Sequence, residues 1–440
     1  MLKKNTEDIT IIQLIQLLNE NKFIEQLINE TGLFFDEPKI FYYSTNINPQ
    51  PFLYHNPQYY NYHKNIFTAT GVSWFKKDWA LRNCLFETIE RICFYLYPIS
   101  SFKFHCSKEK PGYYLLLPVN DKNKSLKNQK LGWAKGLNFT TNKEYFIPSQ
   151  LIWAYYPHFL LYNKNLKEDF FAPATTNGMA AGTDFWQVLL HGLYETIERD
   201  AAITSFLTKA PIKAVNLNKI KSEKIQKINQ VLKKYRLKWL VFNISNDLEI
   251  PVFLSIIYDK TQASPKIAAG VRADLDQEKA IIKSCEEAFI ARLSSRKVLL
   301  NNNNKIINIE KDEITTFEGR INFWLKKENV KKLNYLINKP KKSFKIESQA
   351  KKLRSNKEKA IFIKDKLKKK GFDIYYVDIT MPEFKKKNII VLKVIIPGLQ
   401  DIYINERDKN RIINIERLKQ VAKYFNKQKL LINDLPHFFI

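Results

Sequence analysis

The sequence repeats one short pattern, an aromatic residue followed by Glu-Thr-Ile-Glu-Arg, at residues 86–91 and 194–199. The two copies share an internal register, because 195 − 87 = 108 separates Glu87 from Glu195 and the same interval separates the remaining letters. On a helix, residues three and four apart lie on one face, so the two glutamates and the arginine of each copy form a cluster. A single exposed cluster of this kind would be an ordinary salt-bridged surface.

The flanking residues predict that both helices are buried. Apolar side chains surround the first copy from Cys84 to Leu96 and the second from Trp186 to Ala202. A helix that is apolar all round is buried, and its carboxylates are costly unless cations or donors meet them. One arginine for two glutamates leaves each cluster one negative charge in excess. Oxygen ligands without a nearby His or Cys pattern favour Mg²⁺, which often arrives with phosphate. The repeat therefore predicts two halves of one Mg–nucleotide site.

The composition is that of a globular protein with a large core, since 45% of the 440 residues are hydrophobic. The sequence has no apolar run of about 18 or more residues, and its N-terminus lacks the pattern of a signal peptide. We therefore expect a cytoplasmic protein with no membrane partner. The four cysteines include no CxxC pair, which argues against a zinc site and a disulfide scaffold.

The net charge of +28 is large enough to attract polyanions. The lysines, however, lie in scattered runs and lack the arginine and aromatic interleaving of a single-strand binding surface. Nucleic acid is therefore not the favoured partner. The sequence also contains no GxxxxGK[ST] motif, so any nucleotide site is not a P-loop.

Intermixed helix and strand patterns predict an α/β (mixed α+β) fold, a single large domain with an internal repeat and helices packed on mixed sheets. We expect a helical and aromatic extension over residues 1–60 and a catalytic, ATP-binding domain over 61–440, with a lysine-rich insertion at 300–370. Residues 1–40 have a helical pattern, and 41–70 are typical of a loop. Small-residue turns are predicted ahead of the second and third long helices, in 175–184 and 266–273. Strands are predicted at 112–119, on both sides of 140–143, and at 238–245, 250–259, 373–380 and 388–399.

Five stretches, in order, resemble the YcaO family of ATP-dependent peptide-modifying enzymes across most of the chain. They are "ATGVSWFKKDWALRNCLFETIERICF", "LGWAKGLNFTTNKEYFIPSQLIWAYYP", "TTNGMAAGTDFWQVLLHGLYETIERDA", "AAGVRADLDQEKAIIKSCEEAFIARL" and "VLKVIIPGLQ". The chain is most similar to the stand-alone cyclodehydratase subunits that mature thiazole/oxazole-modified microcins and other bacteriocins in natural product biosynthesis.

The resemblance implies ATP and Mg²⁺ as cofactors. It implies Mg²⁺ ligands at Glu87, Glu90, Glu195 and Glu198. It implies ATP-binding residues at Glu87, Glu90, Arg91, Thr183, Gln187, Glu195, Glu198, Arg199, Lys283 and Glu287. Thr183 and Gln187 stand where the family usually has Asn and Glu, and Lys283 where it has Arg. No catalytic residue is assigned beyond these.

The implied activity is activation of a peptide backbone amide. A Cys, Ser or Thr side chain of the substrate attacks the preceding carbonyl, and ATP phosphorylates the resulting oxygen so that it can leave, giving a thiazoline or oxazoline. The implied partners are a precursor peptide and a leader-binding ThiF-like or TfuA-like protein, and a homodimer is also compatible.

Two alternatives stay open. The C-terminal "NDLPHFFI" keeps only Pro436 of the proline-rich tail common among azoline-forming members, which raises backbone thioamidation with a TfuA-like partner as an alternative. A degenerate, non-catalytic YcaO binding protein is the other.

Overall fold

The computed structural model describes residues 9–48, 50, 68–96, 103–106, 130–154, 175–261, 264–338, 341–342, 346, 353–407 and 412–439. The described helices are α1 (Ile11–Glu20), α2 (Lys77–Tyr95), α3 (Phe185–Leu207), α4 (Glu223–Lys234), α5 (Gln277–Asn301), α6 (Phe317–Leu325), α7 (Lys327–Lys331), α8 (Asn334–Ile337), α9 (Asn356–Lys369), α10 (Pro382–Lys385) and α11 (Ile415–Tyr424). The described strands are β1 (Ile24–Asn29), β2 (Phe41–Ile47), β3 (Thr68–Ser73), β4 (Lys103–Cys106), β5 (Lys130–Asn138), β6 (Glu144–Pro148), β7 (Met179–Gly182), β8 (Lys213–Val215), β9 (Leu237–Asn243), β10 (Val252–Asp259), β11 (Ile267–Ala273), β12 (Lys341–Lys342), β13 (Tyr375–Asp378) and β14 (Ile390–Ile395).

The chain divides into two compact units. The first unit consists of Met1–Leu33, Lys39–Leu193 and Ala360–Pro397, and the second of Phe34–Pro38, Tyr194–Lys359 and Gly398–Ile440. This division differs from the predicted one into an extension over 1–60 and a domain over 61–440. The physical reason is strand pairing: β1 and β2 form one sheet with β3, so the segment predicted as an extension, apart from Phe34–Pro38, is part of the first unit.

The first unit contains a three-stranded antiparallel sheet in the order β1-β2-β3, and α2 packs on β2 and β3. Gly71 of β3 makes this packing close. A Cβ atom there would overlap the carbonyl oxygen of Ala80 and the backbone nitrogen of Cys84 on α2. Only glycine lets the two backbones approach so closely.

The other sheet of the first unit has the order β4-β5-β13-β14-β7, with β6 paired to β5. All of its pairs are antiparallel. The predicted hairpin around residues 140–143 is confirmed by β5 and β6, and the strands predicted at 373–380 and 388–399 are confirmed by β13 and β14. The core of this unit gathers on α2, where Leu85, Ile89 and Ile92 have no exposed surface.

The second unit has one sheet in the order β11-β10-β9-β8-β12, antiparallel except for the short β12–β8 pair. Helix α5 packs on β10 and β11. Here Gly270 of β11 has the role that Gly71 has in the first unit, because a Cβ atom there would overlap backbone atoms of Ser284 and Ala288. Each unit thus contains three antiparallel strands followed by a long helix that packs against a glycine of the last strand. This structural repeat relates α2 to α5, whereas the hexapeptide repeat relates α2 to α3.

The structure corrects the helical prediction for residues 1–40. Helix α1 ends at Glu20, Lys22 takes a left-handed conformation with φ 56°, and residues 24–29 form β1 instead of more helix. Pairing with β2 outweighs the local helical pattern, because strand formation depends on neighbouring strands more than on intrinsic preference.

The predicted loop over 41–70 and the two predicted small-residue turns are also wrong in part. Residues 41–47 and 68–73 are β2 and β3, and the turns contain β7 and β11. Small residues are tolerated in these strands because helices pack closely against them. The strand predicted at 112–119 lies outside the described residues.

The lysine-rich stretch 300–370 contains α6, α7, α8 and α9. Helix α6 is buried in the second unit, with Arg320, Ile321 and Trp324 at most 5% exposed. None of the helices in the described part of the chain combines the length and hydropathy that a bilayer span requires.

Candidate functional site

The first cluster consists of Glu87, Glu90 and Arg91 on α2. The helix has Asp78 in its first turn, which suits the positive end of the helix dipole. It ends at Tyr95, and the N–H of the following Leu96 donates to the carbonyl of Ile92. Cys84, Leu85 and Ile89 have no exposed surface, whereas Phe86 is half-buried and Trp79 is 53% exposed. The prediction of a buried helix is therefore confirmed for one face only. The charged side chains lie where this helix meets the strands around it.

Glu87 has two kinds of donor. Its Oε1 accepts hydrogen bonds from Nε and Nη2 of Arg91 at 3.1 and 2.7 Å, and its Oε2 accepts one from the backbone N–H of Thr70 in β3 at 3.3 Å. The two side chains are 31% and 29% exposed, so the pair is only partly shielded from water. Burial alone would lower the pKa of Arg91, but the carboxylates of Glu87 and Glu90 raise it above its ordinary value.

Glu90 reaches a different strand. Its Oε1 accepts a hydrogen bond from the backbone N–H of Ala181 in β7 at 3.0 Å. One helix of the first unit therefore places Glu87 against β3 and Glu90 against β7. Among the described strands, β3 and β7 are each the last strand in the order of their sheet.

The second cluster consists of Glu195, Glu198 and Arg199 on α3. This helix starts after Asp184, whose Oδ1 accepts the backbone N–H of Gln187 at 2.7 Å, as an N-cap residue does. Glu198 is only 4% exposed and accepts the backbone N–H of Ala273 in β11 at 3.2 Å. The ion pair between Glu195 and Arg199 is longer than its counterpart on α2, at 3.8 Å.

The electrostatics of the second cluster are set by the burial of Glu198. Burial raises the pKa of Glu198 to about 7; Arg199 and Arg272 oppose the rise, and Glu195 and Glu287 add to it. Counted as fully ionised, the three carboxylates exceed the two guanidinium groups by one negative charge, although a pKa of about 7 leaves Glu198 about half protonated near neutral pH. The first cluster, with two glutamates and Arg91, has the same excess.

The third predicted pair lies on α5 and is split by the structure. Glu287 belongs to the second cluster, since its charge acts on Glu198 and Arg199. Lys283 instead makes a 2.6 Å ion pair with Glu286, whose side chain is 3% exposed.

Thr183 and Gln187 lie near the start of α3. Thr183 is partly exposed in the short connection between β7 and α3, and Gln187 is exposed in the first turn of the helix. Their contact with ATP stays a prediction.

Two residues of the second unit escaped the sequence reasoning. Arg272 lies in β11 beside Ala273, and could have been found if "AAGVRA" had been interpreted as a strand, since Gly270 and Arg272 then share a face. Asp200 follows Arg199 on α3 and has no exposed surface. Its carboxylate accepts hydrogen bonds from Arg417 at 2.9 and 2.8 Å and from the backbone N–H of Gln400 at 2.8 Å.

The donor types of the two clusters fit the predicted cofactors. Carboxylate oxygens are the ligands that Mg²⁺ prefers, and guanidinium groups match phosphate oxygens. Within the described ranges, no three His, Cys, Asp or Glu side chains are grouped closely enough to hold a metal ion by themselves. The assignment of Glu87, Glu90, Glu195 and Glu198 as metal ligands therefore stays a prediction.

The model of the family described as YcaO cyclodehydratase, ATP- and Mg²⁺-binding, matches residues 75–400. The chain belongs to the YcaO family. The predicted family is thereby confirmed, and ATP and Mg²⁺ are the cofactors of the family as it is described.

Solved structures with the YcaO fold are similar to this chain at low sequence identity. A heterocyclase in complex with substrate and cofactor is 18% identical with a TM-score of 0.69, over 90% of this chain and 53% of that one. The YcaO protein from Methanopyrus kandleri, bound with AMPPCP and Mg²⁺, is 15% identical with a TM-score of 0.65, over 92% of this chain and 93% of that one. The E. coli microcin synthetase McbBCD complex with pro-MccB17 bound contains a chain that is 13% identical with a TM-score of 0.58, over 84% and 87%.

The chain spans about half the length of the heterocyclase. These structural similarities confirm the predicted mixed α/β fold class of this chain.

Proposed function

We propose that the protein is an enzyme that uses ATP and Mg²⁺ to activate a backbone amide of a ribosomally made precursor peptide, converting Cys, Ser or Thr to a thiazoline or oxazoline. The observation that carries the proposal is the pair of carboxylate–arginine clusters. Each lies on a largely buried helix and holds one more carboxylate than it has arginines, in a chain of the YcaO family. Clusters of this kind are stabilised by a bound divalent cation.

The proposed roles follow the donor chemistry. The glutamates of both clusters would hold Mg²⁺, namely Glu87, Glu90, Glu195 and Glu198. The remaining proposed ATP-binding residues are Arg91, Thr183, Gln187, Arg199 and Glu287. Lys283, which the resemblance adds to this set, is paired with Glu286 instead. Bound ATP supplies the phosphoryl group that turns a carbonyl-derived oxygen into a good leaving group. The arginines offset the charge that develops on the phosphate oxygens during transfer.

We further propose a precursor peptide and a ThiF-like or TfuA-like partner protein as the interacting molecules. The heterocyclase solved with its substrate and the microcin synthetase solved as a complex support this proposal.

The test combines the protein with a candidate precursor peptide, a candidate ThiF-like or TfuA-like partner, ATP and Mg²⁺. We expect phosphate release coupled to a loss of ~18 Da, one water, for each ring formed. AMPPCP in place of ATP serves as the control and should give no mass change. Unmodified peptide together with no ATP turnover would contradict the proposal.

Backbone thioamidation, which would use the same activation of the amide, is the second candidate. Exchange of oxygen for sulfur adds ~16 Da to the peptide when a sulfide donor is present. The same mass spectrum therefore separates the two candidates.

A further inference from the structure

The side chain of Lys283 already has a partner. Its ammonium lies 2.6 Å from Glu286, and the two side chains are 22% and 3% exposed. Moving this lysine to a bound phosphate would break an ion pair with a buried carboxylate, which is among the costlier rearrangements in a protein. The family resemblance predicts that Lys283 contacts phosphate, as an arginine does at this position in the family. The ion pair with Glu286 disfavours that contact.

Arg272 lies in the second cluster, and one of its N–H donors is unused. Its Nε is buried and has no hydrogen-bond partner within the described part of the chain. Gly270 and Arg272 are alternate residues of β11, so both project toward the face on which α5 packs. On that face the Cβ of Glu287 lies 2.6 Å from the position that a Cβ of Gly270 would occupy.

The next residue along β11 fixes the other side of this arrangement. Ala273 donates its backbone N–H to Glu198, so the strand that carries Arg272 is bonded directly to the second cluster. Burial alone would lower the pKa of Arg272, but Glu198 and Glu287 raise it, so the guanidinium stays charged. A guanidinium whose buried Nε has no acceptor can bind one that a ligand supplies.

Phosphate oxygens are the acceptors that a guanidinium suits best. Its planar set of donors can hold two phosphate oxygens at once, whereas an ammonium acts as a point charge. We propose that Arg272 binds the phosphate chain of the nucleotide in place of Lys283. The inference rests on the proposed binding of ATP, and it assigns the phosphate contact to a strand residue outside the hexapeptide repeat.

The experiment measures binding of AMPPCP with Mg²⁺, and separately of inorganic tripolyphosphate with Mg²⁺, to the full chain by calorimetry. Arg272→Gln should weaken both affinities about 10- to 100-fold, the range expected for a lost charge-assisted hydrogen bond. Arg272→Lys should show an intermediate loss. Lys283→Gln should change neither affinity by more than about threefold, because the ammonium group of Lys283 is paired with Glu286.

Lys279→Gln is the matched control for loss of one positive charge. Lys279 lies on α5 one turn before Lys283, is 51% exposed and pairs with Asp274, so its removal should leave both affinities within about threefold of wild type. Thermal unfolding without ligand shows whether each variant is folded. If Arg272→Gln does not fold, Arg272→Lys keeps the charge and still tests the contact.

Wild-type affinity in a folded Arg272→Gln variant would overturn the inference. So would a Lys283→Gln variant that loses as much affinity as Arg272→Gln, because the phosphate contact would then belong to the lysine. A wild-type chain that binds neither ligand would overturn the proposed function together with this inference.

Discussion

Glu198 accepts the backbone N–H of Ala273, the last residue of β11, at 3.2 Å. In the first unit, Glu90 accepts the backbone N–H of Ala181 in β7 at 3.0 Å. Each is the second glutamate of its hexapeptide. Among the described strands, each of the two strands lies at one end of the order of its sheet. The repeated sequence therefore makes the same local contact once in each unit.

Glu198→Gln should abolish ATP turnover without unfolding the protein. Glutamine keeps an oxygen that can accept the N–H of Ala273, but it removes the charge that burial disfavours, so the nucleotide-free variant should be at least as stable as wild type at pH 8. We expect phosphate release to fall by about 100-fold or more, as for other groups that hold charge at a transition state. Phosphate assays and thermal melts measure the two effects.

Glu90→Gln should behave in the same way, since Glu90 makes the equivalent contact in the first unit. Glu223→Gln is the control, because Glu223 is an exposed residue in the first turn of α4. If both Glu90→Gln and Glu198→Gln hydrolysed ATP at the wild-type rate, the assignment of these residues to the site would be wrong.

Asp200→Ala should destabilise the protein strongly. The carboxylate is fully buried and paired with Arg417, which also pairs with Asp247, so removing it leaves one buried cation with half of its partners. Losing one member of such a pair costs about 3–5 kcal/mol. Urea unfolding followed by far-UV circular dichroism measures this loss.

Glu416→Ala is the contrasting variant, because its ion pair with Lys419 is exposed and such pairs contribute at most about 1 kcal/mol. An equal, small loss in both variants would show that Asp200 does not hold the second unit together.

The difference between Glu198 and Asp200 shows how far the sequence could predict the site. The clustering of the glutamates with arginine was predictable because three- and four-residue spacing on an apolar helix is a local signal. Asp200 was not, because Arg417 and Gln400 lie 217 and 200 residues away along the chain, and no local pattern links them. Arg272 was missed because "AAGVRA" has the composition of a turn, and only pairing with β10 makes it a strand.

The same difference between local patterns and long-range contacts applies to the prediction of helices and strands. Helices α2 and α3 and the hairpin of β5 and β6 were predictable, since each depends on a local pattern. Strands β1 and β2 were not, because their formation depends on pairing with β3 and not on their own sequences.

Gly270→Ala should destabilise the second unit by about 1–3 kcal/mol, the usual cost of an overpacked core. A methyl group there meets the backbone of Ser284 and Ala288, which cannot move without shifting α5 from the sheet. Chemical denaturation of the full chain measures the change.

Gly319→Ala is its control within the same unit. Gly319 lies inside α6, and the nearest atom to an added methyl group is Oγ1 of Thr316 at 3.4 Å. Alanine is favoured over glycine in a helix by up to about 1 kcal/mol, so this variant should be neutral or more stable. Equal destabilisation by both variants would contradict the close packing of β11 on α5.

The protein should lose stability in acid because His437 is buried in its neutral form. The imidazole is fully buried, its Nε2 lies 2.6 Å from the carbonyl oxygen of Tyr403, and burial together with the charge of Arg320 holds its pKa well below 6.5. Because the folded state disfavours the protonated form, its contribution to stability is complete above pH 6.5 and is lost as the pH falls toward the pKa of the folded state. The free energy of unfolding should fall by up to about 1.4 kcal/mol for each pH unit in that range.

The His437→Gln variant lacks this titration. Urea unfolding at several pH values between 7 and 5 should therefore give a shallower dependence on pH for the variant than for wild type. Identical slopes would show that His437 takes up no proton on unfolding.

The contacts of Glu87, Glu90 and Glu198 with Thr70, Ala181 and Ala273 have a consequence for the behaviour of the protein in solution. An outer strand with unused amide groups is a template on which another molecule can add a strand, and natural proteins guard against such self-association with charged side chains. Here an acidic group occupies one amide on each of three outer strands. The same carboxylates proposed to bind the cofactors thus also occupy backbone donors that a further strand would need.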